Sequence, residues 1–133
     1  LIAKNTTIAL NGAKAKIEEI RNNPFDTVIV DYSPGGTKGN YFHINKWLNT
    51  ADHCGTIEIA DPATSEILNT GSHLNPVRTL YEVRVTVSWR EKGNRFIGED
   101  KNFNGSLDTG EDTFSNNQLD SPVKIVTLIS RRP

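Results

Sequence analysis

Seven residues near the C-terminus have types and spacing that could do chemistry. Asp100, Asn102, Asn104, Gly105, Ser106, Asp108 and Glu111 fall at positions one, three, five, six, seven, nine and twelve of a polar stretch. They match the calcium-loop pattern D-x-[DN]-x-[DN]-G-x5-E at every specified position. Calcium takes about six to eight oxygen ligands, and positions one, three and five carry side-chain oxygens round one side of the ion. Gly105 supplies the sharp turn that lets the Ser106 carbonyl face the ion. Asp108 would bind through water, Glu111 would close the far side with both carboxylate oxygens, and Leu107 would anchor the loop to the core.

Charge argues the same way. From Glu99 to Asp120 the chain has six acidic residues against Lys101 alone, which leaves 14 basic and 10 acidic residues elsewhere. Carboxylates crowded together raise one another's pKa unless a cation sits among them. The alternative is a turn-rich surface loop without an ion, since Asn, Asp and Gly are also common turn formers. A degraded second copy begins at Asp112 and keeps Asn116, Leu119 and Asp120, but Phe114, Asn117 and Val123 break it. That copy is half a site at most, with Asp112 or Asp120 available to complete the first. Strand-like segments flank the loop, so no helix pair exists for a sensor to open. A structural ion of the weak affinity usual outside the cytosol is the expectation, and it favours export.

Other constellations carry less. His43, His53, Cys54 and His73 lack metal-ligand spacing, and Cys54 has no positioned base. No nucleophile elbow, phosphate loop or dinucleotide fingerprint occurs, so no enzyme activity is expected. Asn5 and Asn104 fit the glycosylation sequon, and Trp47 and Trp89 could line a sugar-binding surface, although alternation assigns Trp89 to the core. A net charge of -1 gives no reason to expect nucleic acid as a partner. A single cysteine excludes an internal disulfide. The chain begins at Leu1 without methionine, as a processed product or fragment does, and shows neither a signal peptide nor a membrane-spanning run.

The elements that must position the loop can be read in turn. Ala3, Thr6, Leu10, Ala13, Ile17 and Ile20 recur at three and four and predict a helix over 1–23, ended by Pro24. Residues 27–32 form a β-prone run closed by Pro34-Gly35-Gly36. The connecting region 24–78 otherwise offers only the short apolar clusters 41–44 and 57–60. Tyr81, Val83, Val85, Val87 and Trp89 alternate with Glu82, Arg84, Thr86, Ser88 and Arg90, which predicts a strand with one buried and one wet face. Residues 92–94 make a turn, 95–97 start the return, and 123–130 form a last strand with apolar residues on both faces. The fold class is therefore α+β: one domain, 1–133, with an N-terminal helix on an antiparallel sheet (79–133) and a calcium-loop insert at 98–121.

The stretch Ala13-Lys-Ala-Lys-Ile17-Glu-Glu-Ile20-Arg-Asn-Asn-Pro24-Phe25-Asp26 resembles the end of the long helix in type IV pilin-like proteins. It is most similar to minor pilins and pseudopilins of the kind associated with pilus tips. Val83-Arg-Val-Thr-Val-Ser-Trp89-Arg and Val126-Thr-Leu-Ile129-Ser-Arg131-Arg resemble that group's closing strands, between which some members carry a similar Asp/Asn/Gly insert. The resemblance covers both ends, about half the chain. It implies a preceding hydrophobic helix that anchors the subunit in the inner membrane, other pilin or pseudopilin subunits as partners, and a periplasmic or extracellular place in the bacterial cell envelope. The chain is then expected to be a structural subunit of a type IV pilus or a type II secretion-like filament. The other candidate is a calcium-stabilised adhesion or carbohydrate-binding module of a secreted protein.

Overall fold

The computed structural model describes residues 2–44, 53–69, 79–91, 95–100, 110–111 and 120–131. Helix α1 spans Ile2–Arg21. Its buried stripe is Ala9, Ala13, Ile17 and Ile20, which faces strands β3 (Leu80–Glu91) and β5 (Val123–Ser130). Ala9 takes the place expected of Leu10, which is 36% exposed. The small Ala9 and Ala13 side chains let the helix sit close to the sheet, and the larger Leu10 lies at the margin. The side chain of Ala3 lies outside the described residues. Arg21 bonds Glu18 and donates to Thr127 Oγ1 at 2.8 Å, tying the last turn to β5. Pro24, at φ -55 and ψ 131, then turns the chain away. Among the described residues, no helix is long and apolar enough to cross a membrane.

Residues 25–31 depart from the expected strand. They form a 3-10 turn, Phe25–Thr27, and a short helix α2, Val28–Asp31. Tertiary contacts override the β preference of Val28, Ile29 and Val30. Val28 and Ile29 are buried, while Asp31 accepts side-chain bonds from Asn23 and Thr27. The Asp31 carbonyl also receives Lys38 N and Gly39 N, which closes the corner.

Among the described residues the sheet has five strands, all antiparallel: β1 (Tyr41–Phe42), β2 (His53–Ala60), β3, β4 (Arg95–Ile97) and β5. β2 is longer than the apolar cluster 57–60 predicts and is buried throughout. A strand covered on both faces does not alternate, so its first half gives no period to read. The far face of β3 is likewise not wet: Arg84, Thr86 and Ser88 are buried. Arg84 is held there by Glu82 at 2.7 Å, by the Ser65 carbonyl at 3.1 Å and by Glu58 at 3.7 Å. Conversely, β5 is open on that face, with Val126 and Leu128 about half exposed.

One side chain joins three parts of the core. Asn69, fully buried, donates to the carbonyls of Tyr32 and Ile57 and accepts the Ile59 amide, at 2.7, 2.9 and 2.9 Å. All the hydrogen-bonding directions it uses are met by backbone, the arrangement that makes a buried amide stabilising.

Candidate metal centre at the neck of the insert

β3 has one edge paired with β2 along its length. Its other edge is shared by β4 and β5 lying end to end. Trp89 pairs with Ile97, and Val87 pairs with Val123, so the two strands take up neighbouring stretches of the same edge. They are one strand opened opposite Ser88, and residues 98–122 leave and return through that gap.

The gap is closed by hydrogen bonds. Glu99 N donates to the Asp120 carbonyl at 2.9 Å, and Asp120 N donates back to Glu99 Oε1 at 2.8 Å. Ser121 Oγ donates to the Val87 carbonyl at 2.5 Å and accepts Val123 N at 3.2 Å. On the outgoing side, Gly98 lies so close to Ser88 that a Cβ would strike its side chain, and its φ of 95° is one that favours glycine. Asp100 N then donates to Ser88 Oγ at 3.4 Å. Ser88 belongs to the face opposite α1, so the outgoing chain crosses there and helps to bury what the sequence reads as a wet face.

Of the expected ligands, the structure places Asp100 and Glu111, the first and last positions of the loop. They are 0% and 6% exposed. Gly110, at φ 87°, makes the turn before Glu111. Asn102, Asn104, Ser106, Asp108 and Asp112 lie outside the described residues, and so does the second copy up to Leu119. Among the described residues, no three His, Cys, Asp or Glu side chains are grouped to hold a metal. Glu99 is also buried. Withdrawing a carboxylate from water is costly unless cations or donors replace the water. Glu99, Asp100 and Glu111 each have a partner within the fold, and Asp100 and Glu111 carry hard oxygen donors of the kind that calcium takes.

Sequence reasoning missed the neck. The sequence reads Glu99 and Asp120 as part of the acidic excess and Asp120 as available to complete the first site; in the structure the Asp120 carboxylate pairs with Lys124 at 2.8 Å. No local pattern marks a pair that meets only because two strand segments share an edge.

Among the described residues, the histidines and Cys54 do not form a ligand set. His43 and His53 rings lie 5.1 Å apart, but His53 Nε2 already accepts Ile44 N at 2.8 Å. Cys54, next along the strand, points to the opposite face and donates to the Gly55 carbonyl. His73 lies outside the described residues. Trp89 is 1% exposed with its Nε1 on Glu91, so it is a core residue. Asn5, the first sequon, spends its amide on the same Glu91 oxygen at 3.1 Å. Comparison of the chain with protein-family models, with curated proteins and with solved structures found no match.

Proposed function

We propose that the chain is a structural subunit, a minor pilin or pseudopilin of a type IV pilus or type II secretion-like filament, with calcium ordering the insert between β4 and β5. The observation that carries this reading is the seating of α1. A 20-residue helix lies on an antiparallel sheet through a stripe of small and branched residues, while Asn11, Lys14 and Glu18 face outward. Such a helix can continue beyond its N-terminal end into an apolar anchor without disturbing the sheet. The exposed apolar residues Leu80, Val126 and Leu128 on the far face at the β5 edge also suit a protein made to meet neighbours.

Calcium belongs to this reading as a structural ligand. Asp100, buried beside Ser88, and Glu111, also buried, would bind it with the loop oxygens between them. Among the described residues, strands β4 and β5 flank the insert, so the ion would order the insert and not switch a helix pair.

The test is the sequence encoded before Leu1. A processing glycine followed by about twenty apolar residues with an early glutamate is the expected result, since that length spans a bilayer as helix. A secretory signal, or a linker to a catalytic domain, would overturn the filament reading.

A further inference from the structure

We propose that His53 is an acid-operated latch that holds residues 40–44 against α1. His53 is fully buried on the sheet face that α1 covers, and its Nε2 accepts the backbone N–H of Ile44 at 2.8 Å. A ring nitrogen that accepts must carry a lone pair, so the ring is neutral and its proton is on Nδ1. Protonation places a hydrogen on Nε2, facing the hydrogen of Ile44. The acceptor is lost, and a charge is created where there is little water to solvate it.

The other described ties of the segment that this bond secures are these. β1 is two residues long and pairs only with Thr56 and Gly55, and Asn40 accepts Ile57 N at 2.8 Å. The Ile44 side chain packs on Gly12, where a Cβ would strike it, and the Lys16 ammonium stands 4.8 Å from the Phe42 ring. Releasing the Ile44 amide therefore frees the end of a short edge strand, the kind of local opening that costs far less than global unfolding. The cleft between Ile8, Gly12 and Ala15 on α1 and Phe42 and Ile44 on the segment would widen.

Among the described residues, the ionisable side chains on the surrounding elements are already engaged. His43, exposed on the segment itself, stacks edge-on against His53. Lys16 on α1 is a cation paired with Glu19. Glu91, on the same face of β3, is bound by Trp89 and Asn5. The latch sits on the β2 side of β3, whereas the insert leaves and returns at the edge that β4 and β5 share.

The experiment is nuclear magnetic resonance on the whole chain, with ring nitrogens assigned by long-range correlation and amide protection corrected for intrinsic exchange. At about pH 7.5 we expect His53 to carry its proton on Nδ1 and Ile44 to be protected. Near pH 5 we expect the Ile44 protection factor to fall at least roughly tenfold while amides of β3 and β5 keep theirs. His53→Gln supplies an oxygen acceptor that does not titrate, so its Ile44 protection should be independent of pH; His43→Asn should leave the response in place. A proton on Nε2 at about pH 7.5, equal Ile44 protection at both pH values, or a pH response retained in His53→Gln or lost in His43→Asn would each overturn the proposal. The first two readings need only the wild-type chain, so they decide the matter even if a variant fails to fold.

Discussion

Glu99 and Asp120, 21 positions apart, exchange two hydrogen bonds: each backbone amide donates to the other residue, one to a carbonyl and one to a carboxylate oxygen. That exchange turns residues 98–122 from an interruption into an excursion. The edge strand on β3 stops at Ile97 and resumes at Val123, and the bonds beside Ser88 close the seam. What the insert does is thereby coupled to the sheet through a handful of residues whose roles can be tested one by one.

Gly98 is the tightest point of the seam. Gly98→Ala adds a Cβ against Ser88 on a backbone at φ 95°, which combines a clash with left-handed strain. The variant should lose about 2 kcal/mol, read as a lower denaturant midpoint with an unchanged slope. Stability equal to wild type would mean that the outgoing chain does not pass over Ser88.

Asn69 tests the middle of the chain. Asn69→Ala removes a side chain that serves Tyr32, Ile57 and Ile59 and leaves buried backbone groups without partners. The expected loss is about 2–4 kcal/mol. Asn69→Asp should also destabilise, because an ionised carboxylate cannot donate to the two carbonyls. A neutral outcome for both would contradict the placement of residues 61–69 against β2.

The helix seat can be tested by volume. Ala13 is 0% exposed against the sheet, so Ala13→Leu should overpack it and cost about 1–3 kcal/mol. Leu10→Ser, at a position 36% exposed, should cost markedly less. The reverse order of effects would place the sheet on the other side of the helix.

Tyr32 and Glu19 predict how stability responds to pH. Burial, then the hydrogen bond to Glu19 at 2.8 Å, pushes the Tyr32 phenol well above its usual value. Burial would also push the Glu19 carboxyl up, but hydrogen bonds from Tyr32 and Lys16 outweigh it and leave Glu19 below its ordinary 4.5. The lowered carboxyl contributes stability that is present above 4.5 and is lost as pH falls through its folded value. The raised phenol contributes stability that is present below 10.0 and is lost as pH rises toward its folded value. The stability gap between wild type and Tyr32→Phe should therefore be widest near neutral pH and narrow on both flanks. Urea titrations across the pH range would show this; a gap constant from acid to alkali would contradict the pairing.

How much of this was legible in the sequence follows from which residues have a single exposed face. α1 and the Tyr81-to-Trp89 alternation were legible because one side of each is apolar and the other is not. The far face of β3 was misread because Arg84, Thr86 and Ser88 are polar yet buried, Arg84 bonded by Glu82 and Ser65 with Glu58 as a nearby counter-charge, and Ser88 met by the chain at Asp100. Val126 and Leu128 misled in the opposite sense, being apolar and half exposed. Residues 27–30 read as a strand, but Asp31 and the buried Val28 and Ile29 fold them into a corner. At the candidate site, the loop pattern gave Asp100 and Glu111 as its end positions, and both are buried. Glu99 and Asp120 stood out only as part of the acidic excess, with Asp120 as a possible extra ligand; their pairing beside Ser88 gave no signal, since it arises through strand register.

The calcium loop is the central claim, and thermal unfolding in calcium and in excess chelator tests it most directly. A ligand of the native state at about a hundred times its dissociation constant stabilises by about 2.7 kcal/mol, or roughly ten degrees in Tm for a domain of this size. We expect chelator to lower the wild-type Tm on that scale, and Asp100→Ala together with Glu111→Ala to abolish the difference. A wild-type melting curve unchanged by chelator would contradict the calcium site, and with it the reading of the insert as an ion-ordered loop.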